Sequence, residues 1–283
     1  MAINNNLSFE LFPPKTEKGF DKLKATISEL NKLRPAYFSV TYGAGGSTQE
    51  KTFATVDWLR GQSIETAPHL SCVGADKQEI LEILQRYRDQ GIDRIVALRG
   101  DLPSGAGLGG LAELNYANEL VSFIRESFGP AFHIEVAAYP EFHPQAASAE
   151  IDLDNFKRKV EAGADGAITQ YFYSPDAYSR FIQDCHKRGI GIPVVPGIMP
   201  ITNYSALARF SDACGAEIPR WIKKRLEGYG DDTASIQAFG IEVVSKLCET
   251  LLVDGAPGLH FYTMNQSAAS LAICRNLGVG PGD

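Results

Sequence analysis

The sequence lacks the features that direct a chain to a membrane or to nucleic acid. No apolar run approaches the length needed to cross a bilayer. Residues 1–6 show neither the charged region nor the apolar core of a signal peptide. The net charge is -7, and no basic run is present that could follow a phosphate backbone. We therefore expect a cytoplasmic protein that binds neither a membrane nor nucleic acid.

Patterned cysteine and histidine are also missing. The five cysteines are scattered and contain no C-x-x-C pair, which is typical of free thiols in a reducing cytoplasm. The five histidines show no H-x-H or H-E-x-x-H spacing, so little supports a metal hydrolase, and we expect no metal. The G-x-S-x-G elbow of serine hydrolases is absent as well.

What is present is a regular alternation of short apolar segments and helical patterns. Hydrophobic residues make up 44% of the 283 residues and charged residues 22%, so the chain can bury a sizeable core. Strands are predicted at residues 7–12, 37–41, 68–73, 95–98, 133–139, 166–170, 193–196 and 258–262. Helices are predicted at residues 19–34, 47–62, 76–90, 115–128, 154–162, 175–188, 203–214, 219–226, 233–252 and 265–277.

This alternation predicts an α/β fold with a parallel sheet. Eight strand-then-helix units in a chain of this length indicate a single (β/α)8 TIM barrel. An open doubly wound sheet is the alternative fold. No linker-like break divides the chain, so residues 1–283 are interpreted as one domain.

Polar side chains stand where the predicted strands end. In parallel α/β folds, the carboxyl ends of the strands form the face that carries function. A buried strand, for example, stops abruptly at Arg99-Gly100-Asp101, which is poor core material. The residues at these strand ends are Glu10, Thr41, His69, Arg99, Asp101, Tyr139, Gln170, Tyr262 and Thr263.

Glu10 is the most informative of these residues. It lies between Phe9 and Leu11 and is followed closely by Pro13. Desolvation there would raise the pKa of its carboxyl group, which suits a general acid near neutral pH. The alternative is an ordinary strand glutamate that faces outward.

Three further patterns bear on the function. Residues 105–110 match G-x-G-x-x-G but lie several residues past their strand, with no suitably placed acid, so we interpret them as a flexible loop. The sixth strand ends in Gln170 instead of lysine, which argues against a Schiff-base aldolase.

Asp152, Asn155 and Lys159 share one face of a predicted helix. This face is either an ordinary solvated helix face or a polar wall that binds an anionic, hydroxyl-rich ligand.

Seven sequence blocks together resemble the bacterial 5,10-methylenetetrahydrofolate reductases, over nearly the whole chain. The blocks are Phe9-Glu-Leu-Phe-Pro-Pro-Lys15, Ser39-Val-Thr-Tyr-Gly-Ala44, Ala67-Pro-His-Leu70, Val96-Ala-Leu-Arg-Gly-Asp-Leu-Pro103, Ala138-Tyr-Pro-Glu-Phe-His143, Ala167-Ile-Thr-Gln170 and His260-Phe-Tyr-Thr263. The resemblance implies an FAD-containing barrel without the regulatory domain of eukaryotic relatives. It also implies ping-pong hydride transfer from NADH or NADPH through FAD to methylenetetrahydrofolate, in one-carbon metabolism and methionine supply. A homotetramer is implied as well.

The resemblance also implies roles for individual residues. Glu10 is expected to be the general acid, with Asp101 as a second catalytic group near the flavin. Substrate contacts are expected from Glu10, Asp101, Gln170, Phe210, Tyr262 and Gln266. FAD contacts are expected from Thr41, Tyr42, Ala44, His69, Leu98, Arg99, Gly100, Asp101, Tyr116, Ala117, Tyr139, His143, Ala146, Asp152, Asn155, Arg158 and Lys159.

Two positions depart from the family pattern. Met264-Asn-Gln266 stands where the family commonly has Leu-Asn-Arg, and Ala206 stands where a relative has glutamine. Both are expected folate contacts, so we expect the departures to affect the hold on the aminobenzoyl-glutamate tail and not the core chemistry. The alternative functions are another flavin-dependent barrel, such as one resembling proline dehydrogenase, and a pterin- or nucleotide-binding module without turnover.

Overall fold

The computed structural model describes residues 7–42, 47–100 and 113–280. Ala44, Asp101 and the glycine-rich loop at 105–110 lie outside these residues. The strands are β1 (Leu7–Leu11), β2 (Tyr37–Val40), β3 (Thr66–Ser71), β4 (Arg94–Leu98), β5 (His133–Ala138), β6 (Gly166–Thr169), β7 (Val194–Val195), β8 (Gly197–Ile198) and β9 (Leu259–Tyr262). The helices are α1 (Glu17–Asn31), α2 (Ser47–Gly61), α3 (Lys77–Asp89), α4 (Ala117–Phe128), α5 (Ala149–Glu161), α6 (Pro175–Lys187), α7 (Tyr204–Cys214), α8 (Arg220–Tyr229), α9 (Thr233–Val253) and α10 (Ala268–Asn276).

The strands form one parallel barrel, which confirms the predicted fold class. Their order is β7-β6-β5-β4-β3-β2-β1-β9-β8, and every recorded pairing is parallel. The first strand therefore pairs with the last, and β7 and β8, at the two ends of this order, are consecutive in the chain. The open-sheet alternative is excluded.

The seventh predicted strand, at 193–196, is two short strands that meet at Pro196. Proline has no backbone N–H to donate, so it interrupts a hydrogen-bond ladder. The carbonyl of Pro193 accepts from the N–H of Ala167 on β6 (2.9 Å). The carbonyl of Pro196 accepts from the N–H of His260 on β9 (3.0 Å). The chain thus changes pairing partner at Pro196, and this change closes the barrel.

Gly197 allows the close approach that this closure requires. A Cβ at this position would lie 2.1 Å from the carbonyl oxygen of Thr169 and 2.6 Å from the ring of Tyr262. The backbone N–H of Gly197 donates to the hydroxyl of Thr169 (2.9 Å). Any side chain at position 197 would therefore force β6 and β9 apart.

Side-chain alternation along β1 separates two layers of the core. Phe9 faces the helices, where its ring packs against Phe38 (5.8 Å) and Phe261 (5.6 Å). Glu10, the next residue, faces the barrel interior with Ser8. The period of two along a strand therefore places the acid on the inner face.

The barrel interior is unusually polar for a layer that branched aliphatic residues normally fill. The hydroxyl of Ser8 lies 2.7 Å from Nδ1 of His260, and the hydroxyl of Ser39 lies 3.5 Å from Nε2 of the same ring. At the amino-terminal end of the strands, Arg94 pairs with the buried carboxylate of Glu135 (2.6 Å). These contacts provide partners for polar groups that folding removes from water, apart from Oε2 of Glu135, which has no hydrogen-bond partner among the described residues.

Most helix boundaries follow the capping signals in the sequence. Asp76, the first residue of the helix predicted at 76–90, caps α3 with a full capping box that includes Glu79. Helix α5 begins five residues before its predicted start at 154, because Ser148 caps it by accepting from the N–H of Ile151 (3.3 Å). Within the described residues, no helix combines the length and apolarity needed to span a membrane.

Candidate active site

Glu10 lies at the carboxyl-terminal end of β1, buried inside the barrel. It is 7% exposed and is flanked in register by Tyr262 on β9 and Ser39 on β2. Burial raises the pKa of its carboxyl group to about 8, because a carboxylate loses its hydration there. The carboxyl group is therefore largely protonated at neutral pH, and the alternative of an outward-facing glutamate is wrong.

Two titratable side chains among the described residues lie beside Glu10: Tyr262 on β9 and His69 on β3. The Nε2 atom of His69 lies 3.5 Å from Oε2 of Glu10, and the side chains of His69 and Glu10 are both 9% exposed. Burial lowers the pKa of His69 to about 4, so the two groups face each other uncharged instead of as an ion pair. A separation of 3.5 Å is also longer than a normal hydrogen bond.

The loop after β9 holds the end of β1 in place. Thr263 donates its hydroxyl to the carbonyl oxygen of Glu10 (2.6 Å). Asn265 binds the backbone of Phe12 at two points: its Oδ1 accepts from the N–H (2.9 Å) and its Nδ2 donates to the carbonyl (2.8 Å). Asn265 has a φ of +56°, a left-handed conformation that asparagine tolerates. Gln266, the next residue, is exposed.

A group of aromatic and amide side chains lines the mouth from β9 to β6. Tyr262 donates its hydroxyl to a β6 carbonyl (2.7 Å), and its ring lies 6.4 Å from that of Tyr171. Gln170 follows β6 and accepts from the N–H of Tyr171 through Oε1 (3.0 Å). The hydroxyl of Tyr171 lies 3.0 Å from that of Ser211 on α7, which holds this helix against the mouth. Phe210, on the same helix, is 46% exposed.

The predicted polar wall on α5 is partly buried. Burial lowers the pKa of Lys159 to about 8, although the nearby carboxylate of Asp152 opposes this shift. Lys159 donates to the carbonyl of Ala137 on β5. Asp152 accepts through Oδ2 from the backbone N–H of His143 (3.1 Å), which ties the loop after β5 to the helix.

The outer part of this wall is exposed. Arg158 donates to Oδ1 of Asn155 (2.8 Å), one turn earlier on α5. In the adjoining loop, the rings of Tyr139 and His143 meet edge to face with centroids 4.6 Å apart. The N–H of Ala146 donates to the carbonyl of His143 (2.8 Å) and closes a turn there. The wall therefore presents a cation and an amide beside an ordered loop.

The end of β4 presents a second cation near this wall. Leu98 packs against the inner apolar cluster, and Arg99 donates to Oε1 of Gln145 (2.6 Å). Gly100 has a φ of +84°, and a Cβ there would lie 1.9 Å from the hydroxyl of Ser71. Only glycine can follow this backbone path, because a Cβ would clash with Ser71 and the positive φ disfavours other residues.

The remaining predicted contacts extend along the same rim. Thr41 follows β2 directly, and its N–H donates to the carbonyl of Leu11 (3.0 Å). The hydroxyl of Tyr42 accepts from Nε2 of Gln49 (2.9 Å). Tyr116, 49% exposed, precedes α4, which starts at Ala117. In the described parts of the chain, no group of three or more His, Cys, Asp or Glu side chains is suited to a metal ion.

The protein-family model of methylenetetrahydrofolate reductase matches residues 2–278. This chain belongs to the methylenetetrahydrofolate reductase family. The resemblance predicted from seven blocks is thereby confirmed. The reaction of this family is the reduction of methylenetetrahydrofolate, and the family generally uses a flavin and a nicotinamide donor.

Bacterial and plant members of the methylenetetrahydrofolate reductase family are similar to the chain over nearly its full length. The 5,10-methylenetetrahydrofolate reductase of Escherichia coli K12 is 40% identical over 278 residues, which are 98% of this chain and 92% of that protein. The enzyme of Buchnera aphidicola from Schizaphis graminum is 40% identical over 273 residues, 96% of this chain and 91% of that protein. Methylenetetrahydrofolate reductase (NADH) 1 of Arabidopsis thaliana is 38% identical over 96% of this chain and 48% of that longer protein.

Solved structures support the fold independently. A protein from Clostridium thermocellum, described as binding two copies of 5-methyl-5,6,7,8-tetrahydrofolic acid, superimposes with a TM-score of 0.69 at 18% identity and covers 96% of both chains. The thermostable aldo-keto reductase Tm1743 superimposes with a TM-score of 0.55 at 12% identity, over 98% of this chain and 91% of that one. At these identities the similarity concerns the fold alone.

Three residues of the site were not singled out from the sequence as site residues. Gln145 orients Arg99, and Asn265 fixes the end of β1. Ser211 joins α7 to the mouth through Tyr171. Each of them matters through a partner that is distant in the sequence, which local patterns do not reveal.

Proposed function

We propose that this chain reduces 5,10-methylenetetrahydrofolate to 5-methyltetrahydrofolate with NADH or NADPH as the hydride donor and FAD as the cofactor. The two substrates use the same pocket in turn, so the kinetic order is ping-pong. We further propose that residues 1–283 act as one catalytic barrel and that the assembly is a homotetramer, as the family resemblance implies.

The observation that carries this proposal is the burial of the Glu10 carboxyl group at the barrel mouth, which raises its pKa to about 8. Reduction requires the five-membered ring of methylenetetrahydrofolate to open to an iminium. Opening breaks a carbon–nitrogen bond, whose electron pair stays on the leaving nitrogen, and a proton delivered there makes departure easier. A carboxyl group with a pKa of about 8 still carries that proton at neutral pH.

The remaining mouth residues have proposed binding roles. Gln170 and Tyr262 would contact the pterin, and exposed Phe210 would stack against either substrate. Gln266 would lie beside the aminobenzoyl-glutamate tail, where its neutral amide replaces the cation common in the family. Asp101 is proposed as a second acidic group near the flavin.

The described residues fit an anionic, hydroxyl-rich dinucleotide. Arg99, Arg158 and Lys159 supply cations, and Asp152 and Asn155 supply groups for hydroxyls. The remaining proposed contacts are Thr41, Tyr42, Ala44, His69, Leu98, Gly100, Tyr116, Ala117, Tyr139, His143 and Ala146. FAD, when bound, supplies the hydride-transfer chemistry. The chain's own contribution is to position the substrates beside Glu10 and to keep its carboxyl group away from water.

The test follows the colour of the purified protein without oxygen. We expect the purified protein to be yellow and to lose its colour when NADH or NADPH reduces the flavin. The nicotinamide that bleaches the flavin faster is the preferred donor. Methylenetetrahydrofolate added next should restore the colour and yield 5-methyltetrahydrofolate. A protein without flavin, or one that stays bleached after methylenetetrahydrofolate is added, would contradict the proposed function.

A further inference from the structure

His69 and His260 are two buried histidines inside the barrel with different surroundings. Both ring nitrogens of His260 lie beside serine hydroxyls, at 2.7 Å from Ser8 and 3.5 Å from Ser39. Nε2 of His69 has no hydrogen-bond partner among the described residues. Buried polar atoms are rarely left this way, so an unpartnered nitrogen calls for an explanation.

The carboxyl group of Glu10 lies beside this nitrogen, with 3.5 Å between Nε2 and Oε2. Hydrogen bonds that operate in catalysis are often long in the free enzyme and shorten once substrate is bound. The imidazole is uncharged in this environment, because burial lowers its pKa to about 4. A neutral imidazole carries one N–H, which either ring nitrogen can hold.

We propose that His69 is a positioning residue for Glu10: its Nε2–H donates to Oε2 and leaves Oε1 to deliver the proton to the folate. This proposal rests on the proposed function. When the carbon–nitrogen bond of the folate breaks, its electron pair stays on nitrogen and the proton of Glu10 moves there. The resulting carboxylate then accepts a stronger, charge-assisted bond from His69. His69 thus stabilises the state that the acid reaches after giving up its proton.

The opposite arrangement predicts a different result. If Glu10 donated its proton to an unprotonated Nε2, the acid proton would point away from the folate. His69 would then stabilise the protonated form of Glu10, and loss of His69 would lower the pKa of that carboxyl group. The direction of the pKa change therefore distinguishes the two arrangements.

Three variants of His69 separate these roles. His69→Gln places an amide N–H near the position of Nε2, whereas His69→Asn places it near Nδ1, away from Glu10. His69→Leu removes the donor at similar volume. We expect the folate half-reaction to slow about 10- to 100-fold in the Leu and Asn variants at pH 7, the usual loss for a bond to a charged group. The Gln variant should recover most of the rate.

The pKa of Glu10 can be followed without turnover by infrared spectroscopy of its carboxylic C=O band, which Glu10→Gln identifies by its disappearance. The midpoint of this band's titration should move to higher pH in His69→Leu and His69→Asn and return in His69→Gln. A midpoint that stays in place or moves down overturns the positioning role. The infrared titration is independent of the folate reaction, so wild-type protein that fails to reduce folate would instead contradict the proposed function.

The nicotinamide half-reaction and a matched histidine complete the test. At saturating FAD, the nicotinamide half-reaction should slow less than the folate half-reaction in the Leu and Asn variants, because only the folate half-reaction uses the acid. Equal slowing of both half-reactions would reduce His69 to a cofactor contact and overturn the proposal. The matched control is His133→Gln, which changes another histidine on an inner strand face, whose Nε2 lies 3.0 Å from Oε1 of Glu135. This variant should change neither the rate of the folate half-reaction nor the midpoint of the Glu10 titration.

Discussion

Glu10 and Lys159 are both ionisable residues whose pKa values are shifted by burial, yet their surroundings differ. Lys159 donates to a β5 carbonyl, and the carboxylate of Asp152 favours its charged form. Glu10 has a pKa raised by burial, and it faces an uncharged imidazole. A buried charge with partners is suited to holding a ligand, whereas a buried acid without a counter-charge is suited to proton transfer.

The largest effect is expected when the proposed acid, Glu10, is removed. Glu10→Gln keeps the shape of the side chain but cannot donate the proton, so the folate half-reaction should slow about 10²- to 10⁴-fold. Bleaching by the nicotinamide should stay near the wild-type rate, because that step needs no proton for a leaving nitrogen. Stopped-flow absorbance measures the two halves separately. If methylenetetrahydrofolate reoxidised the flavin of Glu10→Gln at the normal rate, Glu10 would not be the acid. If both half-reactions slowed equally, its role would be structural.

Removing the partnered cations should affect binding instead. We expect Arg158→Ala combined with Lys159→Ala to weaken FAD binding about 10- to 100-fold, because charge-assisted bonds to the diphosphate are lost. Flavin fluorescence after dilution measures the retained cofactor. Lys157→Ala is the matched control, since Lys157 pairs with Glu161 on the same helix (3.7 Å) and should leave FAD binding unchanged. A double variant that retains all of its flavin would show that the assignment of the wall is wrong.

The pH dependence tests the raised pKa of Glu10 directly. Only the protonated carboxyl group is active as the acid. The rate of the folate half-reaction should therefore stay level below about pH 8, the pKa of Glu10, and fall about tenfold per pH unit above it. Rapid-mixing measurements from pH 6 to 10 define the midpoint. A fall centred near pH 4.5, the ordinary value for glutamate, would contradict the importance of burial.

The loss of the Phe210 ring should slow both half-reactions, but by less than the loss of Glu10 slows the folate half-reaction. Phe210→Ala removes an exposed ring at the mouth, and the loss of one stacking contact should slow both halves about 3- to 10-fold. Trp221→Ala, on neighbouring α8, removes a ring that is 59% exposed and should slow neither half. Slowing of a single half would make Phe210 a contact for one substrate, and slowing of neither would make it a packing residue.

The smallest expected effect is on stability. Because its folded pKa is raised from 4.5 to about 8, Glu10 binds its proton more tightly in the folded state. Its contribution to stability is therefore fully present below about pH 4.5 and is lost as the pH rises to about 8. Glu10→Gln should raise the melting temperature by on the order of a few degrees at pH 8.5 and by less at pH 6. If the melting temperatures of the wild type and Glu10→Gln changed identically with pH, the protonation of Glu10 would not contribute to the pH dependence of stability.

The sequence predicted the alternation of strands and helices because these signals are local. Apolar spacing marked the strands, and caps such as Asp76 marked the helix starts. The position of Glu10 at a strand end was predicted, and its inward direction follows from the outward direction of Phe9. The seventh strand was predicted as one strand, although Pro196 is a local cause for its interruption. The pairing of the chain with β9 after this proline could not be inferred from local sequence.

The contacts that complete the site depend on segments that are distant in the chain. Gln145 meets Arg99 across 46 residues, and Asn265 meets Phe12 across 253 residues. No short-range pattern encodes such pairs, since any exposed amide could make the same bond. The direction in which Lys159 points was likewise hidden, because helix spacing gives its face but not its bond to the β5 carbonyl.

The pairing of β1 with β9 has a consequence for the order of folding. The contacts that hold Glu10, through Thr263 and Asn265, join residues about 250 positions apart, so they cannot form until nearly the whole chain has been synthesised. Contacts of such long sequence separation form slowly, because a long loop must close first. A nascent or truncated chain that lacks β9 would contain Glu10 but leave it in water, with an ordinary pKa. The surroundings that raise the pKa of Glu10 are thus completed only once β9 pairs with β1, so we expect chains that lack β9 to lack this acid.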